Sequence, residues 1–305
     1  MFSVRNNGAI AASLIFATML WGANNAGMKH LVQFWPPVFI SSLRFLICGG
    51  LLLLLIHRTR WLGIPTGCPE EIRGRLWTQT GLCLAAYVIA FMVAIKLTSP
   101  ANVALYLGAS PVWALLIEGR SAPGGPLRWV AAMLAIAGAM VLFWPSLRLG
   151  GDQWLGEATG LASSLLWAVF GHLSRGLTPH ISSVELTAHS MWRAGVWMIP
   201  LTIWEVETVG VVLRLDASLI FLYSVLGPGI FSFALWSNAL MHWPTSKVYL
   251  YNNIIPMWTV FWTWLFFREP VTANVWIALT LIVSGVILAT TNWKRLLGPR
   301  WLPPE

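Results

Sequence analysis

Long apolar runs, separated by short stretches rich in polar residues, proline and glycine, follow one another along the whole chain. Ten of them are long enough to span a membrane, and they cover residues 9–28, 38–56, 76–97, 102–117, 127–145, 155–173, 184–203, 219–241, 248–267 and 274–291. Continuous apolarity over about twenty residues predicts helices, because a helix satisfies its own backbone polar groups where no water is present. We expect an all-α membrane protein with ten transmembrane helices.

The two halves of the chain resemble each other. Residues 99–106 resemble residues 244–251, and each stretch is followed at the same distance by a Pro-x-Trp motif. Each half contains five predicted helices, and an odd number means that the second half enters the bilayer from the opposite side. Inverted halves that meet at the midplane are a common basis for alternating access. We expect two inverted five-helix repeats, 1–147 and 148–305, around a central cavity.

Composition and charge agree with this interpretation. Hydrophobic residues make up 57% of the chain and charged residues 10%, whereas soluble domains carry about 25% charged residues. The net charge of +8 comes from basic residues scattered at helix ends, which does not indicate a nucleic-acid partner. The loop after the second helix carries four arginines, but its counterpart after the seventh carries Glu205, Glu207 and Asp216 with one arginine. By the positive-inside rule, we expect an inner-membrane protein with both termini in the cytoplasm.

Patterns that would indicate an enzyme or a metal site do not occur in the sequence. Cys48, Cys68 and Cys83 have neither zinc-site nor redox spacing. Phosphate-binding loops, His-Glu-x-x-His and Gly-x-Ser-x-Gly are also missing. We therefore expect no cofactor, no bound metal and no catalytic residue, and an intramembrane enzyme is only a remote alternative.

Several short motifs occur in a characteristic order along both halves. They are Leu-Trp-Gly at 20–22, Leu-Arg-Phe-Leu at 43–46, the stretch 94–101, Leu-Trp-Ala at 166–168, Leu-Trp-Ser-Asn-Ala-Leu at 235–240 and Phe-Arg-Glu-Pro at 267–270. In this order they resemble the drug/metabolite transporter superfamily, and within it the ten-helix EamA-type permeases. The resemblance implies a permease that moves small organic solutes, often outward, with amino-acid exporters as the nearest comparison.

One motif of the second half has no equivalent at the same place in the first. Glu118 lies seven residues after Pro111, whereas Glu269 lies thirteen residues after Pro256. We therefore expect the fourth helix to be short or shifted. Because the spacing differs, any role that the motif implies for Glu269 is not assigned to Glu118.

Polar and aromatic residues on repeat-related helices are the candidates for solute contact. Amides can hold the ends of a zwitterion, and aromatic faces can stack on apolar groups or attract an ammonium group. The candidates are Asn24, Asn25, Tyr106, Trp167, His172, Trp236, Asn238, Tyr251 and Asn252. Helix packing is the alternative for each of them, since buried amides often bridge helices.

Four ionisable residues within predicted helices are candidates for coupling or gating, because such groups are costly in hydrocarbon. Glu185, His189 and Arg193 follow at four-residue intervals and share one helix face. A histidine between a carboxylate and a guanidinium could couple a proton gradient to closure. Arg44 is a candidate for gating or for holding a solute carboxylate. A purely structural role is the alternative for all four.

The favoured function is export of amino acids or related metabolites by alternating access, with the lipid bilayer, a small-molecule solute and candidate protons as partners. A drug or other metabolite exporter of the same superfamily is the alternative. Small four-helix relatives that move cationic drugs depend on a glutamate in the first helix, and residues 20–25 contain no acid. The sequence is compatible with a monomer and with a homodimer.

Overall fold

The computed structural model describes residues 7–59, 62–108, 110–118, 127–149, 152–242, 248, 251, 254–268 and 270–290. This part of the chain is helical and contains no strand. Ten helices account for it, which confirms the predicted all-α class.

Five helices form each half of the molecule. The first half contains α1 (Asn7–Leu31), α2 (Pro37–Arg58), α3 (Glu70–Leu97), α4 in two pieces, α4a (Pro100–Gly108) and α4b (Ser110–Glu118), and α5 (Leu127–Leu149). The second half contains α6 (Gln153–Arg175), α7 (Ser183–Val209), α8 (Leu215–Ser224, Val225–Phe231 and Ser232–His242), α9 (Ile255–Phe267) and α10 (Ala273–Thr290).

Helix packing follows a twofold pattern in which the halves exchange places. The helices α2 and α7 pack on each other, as do α5 and α10. The contact of α3 with α6 corresponds to the contact of α8 with α1. In the same way, the contact of α4a with α6 corresponds to that of α9 with α1. Exchanging the halves therefore reproduces the main helix contacts, as expected for two related repeats.

Both α3 and α8 contain a π-helical segment, at Leu76–Gly81 and Val225–Phe231. Each segment brings a glycine against a helix of the other half. A Cβ on Gly81 would lie 3.0 Å from Arg193 Cβ, and one on Gly229 would lie 2.5 Å from Cys48 Sγ. The wide turns thus let α3 approach α7 and α8 approach α2 in equivalent ways, and π-bulges are frequent at functional sites.

Judged by length and composition alone, four helical segments in the described part of the chain are long and apolar enough to cross a membrane. They are α1, α2, α3 and Leu215–Trp236 within α8. The helices α6 and α7 are of comparable length but bury polar side chains against the rest of the bundle, among them Ser163, Ser164, Glu185 and Ser190. This polar burial makes them less apolar than a lipid-facing helix.

The helices α2 and α7 meet at backbone contact, and we call this interface the α2–α7 seam. A Cβ on Gly49 would lie 2.7 Å from the backbone nitrogen of Trp192 and 2.8 Å from the carbonyl oxygen of Ala188. A Cβ on Gly195 would lie 2.7 Å from Leu46 Cγ. One glycine on each helix therefore allows the two backbones to approach closely here.

The fourth helix is described in two pieces because residue 109 lies outside the described residues, and the expectation of a short or shifted helix stays a prediction. The piece α4a ends at Gly108, and α4b begins at Ser110 with Pro111 in its first turn, where the missing N–H of a proline costs no helical hydrogen bond. The piece α4b ends at Glu118, whose side chain lies outside the described residues.

Candidate functional site

A cavity of about 470 Å³ lies between the halves, where α1, α3, α5 and α9 end and α4a, α6 and α10 begin. We call it the seam cavity. Its polar lining comes from both halves and includes Lys29, Thr98, Asn102, Gln153, Glu157, Thr263 and Asn274. A cavity of this size falls within the range of small-molecule sites, about 300–1,000 Å³.

Glu157 is the buried carboxylate of the seam cavity, with 2% of the residue exposed. Its Oε1 atom accepts hydrogen bonds from Thr98 Oγ1 at 2.6 Å and from Asn102 Nδ2 at 2.7 Å. Its Oε2 atom is buried and has no hydrogen-bond partner. No ion pair joins Glu157 to a cation among the described residues. One oxygen of this carboxylate is therefore fixed, and the other is buried beside the Tyr106 hydroxyl.

Close helix contacts place Glu157 at this position. A Cβ on Gly156 would lie 2.8 Å from Leu97 Cβ, so the end of α3 rests directly on the first turns of α6. Further along the same face, a Cβ on Gly160 would lie 2.9 Å from Tyr106 Cδ2. Small residues on α6 thus bring the start of α4a, with its amide and hydroxyl donors, onto the carboxylate.

Lys29, the cation in the wall of the seam cavity, binds the end of α3. Its Nζ atom donates to the carbonyl oxygens of Ile95, Lys96 and Thr98 at 2.9, 3.2 and 2.6 Å. These carbonyls belong to the last turn of a helix, where no intrahelical donor is available and a cation is favourable. Lys29 therefore shapes the wall of the seam cavity beside Thr98, which also binds Glu157.

Arg44 lies outside the seam cavity, in an aromatic environment. It is half-buried, close to Cys48, Tyr87 and Tyr223, and its Nε atom is buried without a hydrogen-bond partner. Trp167 packs on Tyr87 with the ring centroids 5.0 Å apart. Within the described part of the chain, no carboxylate forms an ion pair with Arg44. Such a guanidinium is suited to holding a carboxylate by two parallel hydrogen bonds.

The predicted cavity residues of α1 and α4a are buried between helices. Asn25 Nδ2 donates to Thr259 Oγ1 at 3.1 Å, which bridges α1 and α9. Asn24 is buried with its Oδ1 atom unpartnered, whereas the buried Tyr106 hydroxyl interacts with the Glu157 side chain of α6. Asn25 and Tyr106 therefore both bridge helices, as the packing alternative predicts.

The other predicted cavity residues are dispersed. Trp236 packs on Trp21 at a centroid distance of 5.2 Å, and Tyr251 joins the same cluster. His172 is exposed and Asn238 is half-buried. Asn252 lies outside the described residues. None of the eight candidates in the described part of the chain lines the seam cavity, so their contact with solute stays a prediction.

The proposed chain of Glu185, His189 and Arg193 is not linked in the structure. His189 Nδ1 accepts from Trp192 Nε1 at 3.1 Å, and Arg193 Nη1 donates to the backbone oxygen of His189 at 3.0 Å. The guanidinium of Arg193 lies over the rings of Trp192 and Trp77, at 4.3 and 5.4 Å from their centroids. The imidazole therefore does not connect a carboxylate with a guanidinium, although the three residues share a helix face.

Glu185 is bound by a different part of the molecule. Its Oε2 atom accepts from Thr66 N at 2.7 Å, Thr66 Oγ1 at 2.6 Å and Ser182 Oγ at 2.9 Å, and its Oε1 atom accepts from Gly67 N at 3.1 Å. These bonds attach the connection between α2 and α3 to the start of α7. Such saturation favours a structural role for Glu185.

Sequence reasoning missed Glu157, although a signal for it was present. Residue 157 lies within the predicted helix 155–173, and an ionisable group inside a membrane helix marks a functional site by default. Its two hydrogen-bond donors could not be foreseen, because Thr98 and Asn102 lie more than fifty residues away in the sequence. Only the fold shows that Thr98, Asn102 and Tyr106 surround this carboxylate.

The described part of the chain contains no assembled metal site and no disulfide. No group of three His, Cys, Asp or Glu side chains there could hold a metal ion. Cys48, Cys68 and Cys83 are free thiols.

Ten helices in two related halves, with a polar cavity at their junction, define a multi-pass membrane transporter. The chain belongs to the EamA-like transporter family, which matches residues 8–144 and 154–291. This confirms the resemblance to the EamA-type permeases of the drug/metabolite transporter superfamily.

Relatives with this architecture cover nearly the full chain. An uncharacterized transporter of Archaeoglobus fulgidus is 21% identical, over 92% of this chain and 96% of that protein. The uncharacterized transporter YoaV of Bacillus subtilis is 22% identical, over 94% and 98%. A probable amino-acid metabolite efflux pump of Escherichia coli is 22% identical, over 97% of both chains. One crystal structure matches with a TM-score of 0.64 at 20% identity, over 97% of this chain and 100% of that one, and supports the fold.

Proposed function

We propose that this protein is an inner-membrane permease that exports small organic metabolites, with amino acids as the favoured class, by alternating access. The observation that carries the proposal is the seam cavity, to which both halves contribute polar side chains. A solute held between two related halves can be offered to either side of the membrane when the halves rearrange.

Two observations support an amino acid as solute. The guanidinium of Arg44 has no ion-pair partner among the described residues, which suits it to hold a carboxylate. The relative named as a probable amino-acid metabolite efflux pump spans the same length of chain.

The distribution of charge supports an orientation with the seam cavity open to the outside. Arg58, Arg73 and Arg75 lie exposed at the end of the molecule opposite the seam cavity. At the seam-cavity end, α7 ends near Glu205 and Glu207. By the positive-inside rule the arginine-rich end is cytoplasmic, which puts both termini in the cytoplasm.

Reconstitution into liposomes tests the proposal. Vesicles that contain the protein and a panel of labelled amino acids should release some of them faster than protein-free vesicles. An imposed pH gradient should change the rate if protons are coupled, and leave it unchanged in facilitated diffusion. Gly50→Ala, whose new Cβ would meet no atom within 4 Å, serves as an active control variant. Failure to move any amino acid, with transport of cationic drugs instead, would overturn the proposed solute class.

A further inference from the structure

We propose that Arg44 binds the carboxylate of the solute, in a subsite bordered by Tyr87, Trp167 and Tyr223 that favours organic carboxylates over their neutral amides. This assignment rests on the proposed function, since it names the group of the solute that the protein recognises. None of the four residues lines the seam cavity, so the subsite is a second place between the halves at which a solute is held.

Arg44 lies well inside α2, away from both ends of the helix. It is the eighth residue of a helix of 22 residues, and a rise of 1.5 Å per residue places it about 10 Å from the start. A guanidinium at this depth is costly in hydrocarbon and generally faces a partner or a polar pathway. Arg44 faces inward, because its neighbours Tyr87 and Tyr223 belong to α3 and α8.

The guanidinium of Arg44 has no carboxylate beside it in the described part of the chain. Its neighbours are Cys48 Sγ, a weak acceptor, and the phenol groups of Tyr87 and Tyr223, all of which are neutral near pH 7. Its Nε atom is the nitrogen that is enclosed without a hydrogen-bond partner. Since the residue as a whole is half-buried, the terminal nitrogens carry the accessible part of the group. A carboxylate can accept two parallel hydrogen bonds from such nitrogens.

Aromatic rings from both halves border Arg44. Trp167 of α6 packs on Tyr87 of α3 with the ring centroids 5.0 Å apart. The Tyr223 hydroxyl of α8 donates to the backbone oxygen of Leu20 in α1 at 2.9 Å. These contacts hold the rings in place, yet Arg44 and the three rings are each half-buried, so none of them is fully enclosed by protein. Fixed ring faces next to a guanidinium suit a solute whose carboxylate is attached to an apolar body.

The π-helical segment of α8 explains why Tyr223 lies near Arg44. Gly229 in this segment lets α8 approach α2, since a Cβ there would lie 2.5 Å from Cys48 Sγ. Cys48 follows Arg44 by one turn of α2, and Tyr223 lies just before the π-helical segment. The close approach therefore brings a ring of the second half beside a cation of the first. A subsite shared by both halves can change when the halves rearrange, as alternating access requires.

Two pairs of probes test this assignment by equilibrium binding to the purified full-length protein. Leucine and leucinamide form one pair, and 4-methylpentanoate and 4-methylpentanamide, which lack the ammonium group, form the other. Within each pair only the carboxylate is replaced by a neutral amide. The wild type should bind each carboxylate at least about tenfold more tightly than its amide, the difference expected for charge-assisted hydrogen bonds.

Three variants locate the effect. Arg44→Gln removes the charge and should reduce the ratio of the two affinities within each pair to about one. Arg44→Lys keeps the charge but cannot form two parallel bonds, and should give an intermediate ratio. Arg58→Gln removes an exposed arginine from the end of the same helix and should leave both ratios unchanged. If Arg44→Gln does not fold, Arg44→Lys and the wild type still decide.

The assignment fails if the wild type binds carboxylates and amides equally, or if either Arg44 variant keeps the wild-type ratio. Equal weakening of all four probes by Arg44→Gln has the same meaning, since it indicates a structural role alone. The subsite and the proposed function fail separately. Amino-acid transport by a protein whose Arg44→Gln variant keeps the wild-type ratio removes the subsite alone. Arg44-dependent binding of carboxylates by a protein that transports no amino acid removes the export function alone.

Discussion

The two halves meet in two contrasting ways, at the α2–α7 seam and at the seam cavity. At the α2–α7 seam, Gly49 and Gly195 bring helix backbones into contact, and Glu185 at the start of α7 accepts four hydrogen bonds. At the seam cavity, Glu157 near the start of α6 accepts two hydrogen bonds on one oxygen, and its other oxygen lies beside the Tyr106 hydroxyl. Both carboxylates are buried, with 0% and 2% of the residue exposed for Glu185 and Glu157.

The difference teaches that burial of an acid does not by itself identify a binding site. Glu185 is buried because surrounding donors satisfy it, so it fastens one part of the protein to another. Glu157 is equally buried but lies in the wall of the seam cavity, where Thr98, Asn102 and Tyr106 surround its carboxylate. The neighbouring open volume, rather than burial, separates a candidate ligand site from a structural contact.

The largest effect is expected from Gly49→Ala, which tests the close contact of the α2–α7 seam. The added Cβ would fall against backbone atoms of α7 that cannot rotate away, and such overpacking lowers the free energy of unfolding by about 2–3 kcal/mol. The neighbouring variant Gly50→Ala meets no atom within 4 Å and should be neutral or stabilising by up to about 1 kcal/mol. Thermal unfolding of both proteins in detergent measures the difference, and equal melting temperatures would refute the close contact.

The second largest loss of stability is expected from Glu185→Ala. It leaves the backbone N–H groups of Thr66 and Gly67 without their acceptor, and water can replace that acceptor only in part. We expect a loss of about 2 kcal/mol in stability, in the range of hydrogen bonds to a charged group. Glu71→Ala, an exposed acid near the same end of the molecule, is the control and should melt like the wild type. A wild-type melting temperature for Glu185→Ala would contradict the structural role of Glu185.

A smaller effect is expected from Glu205→Ala, at the other end of α7. Glu205 Oε2 accepts from the backbone nitrogens of Val38 and Phe39 at 2.8 and 3.1 Å, and so caps the start of α2. Loss of a helix cap costs about 1 kcal/mol. Hydrogen exchange of the first turn of α2 should become faster in this variant, and unchanged exchange would show that water serves equally well as the cap.

The smallest change in stability is expected from Glu157→Gln, which sharpens the contrast with Glu185. The amide oxygen of glutamine can accept both existing hydrogen bonds, and the side chain keeps nearly the same volume. The free energy of unfolding without solute should therefore change by no more than about 0.5 kcal/mol. A loss of stability comparable to that of Glu185→Ala would mean that Glu157 has a structural role as well.

The number and order of the helices could be predicted from the sequence, because apolar length and the recurring Pro-x-Trp motif are local signals. The helices α6 and α7 show the limit of this reasoning, since their apolar runs contain polar side chains that the fold turns inward.

Candidate site residues were harder to predict than helices, because their partners are set by long-range contacts. Helical spacing correctly places His189 and Arg193 on one face, but it does not reveal that Trp192 binds the imidazole. Likewise, the charge of Arg44 is visible in the sequence, whereas its lack of an ion pair in the described part of the chain is a property of the fold.

Single cysteines at Arg73 and Glu207 test the inverted arrangement most directly. Cys68 and Cys83 are first replaced by alanine, and Cys48 can stay because it is buried. A membrane-impermeant maleimide is then added to intact cells and, separately, to permeabilised ones. The account predicts that residue 207 is labelled in intact cells and residue 73 only after permeabilisation. Labelling of both positions from the same side would contradict it.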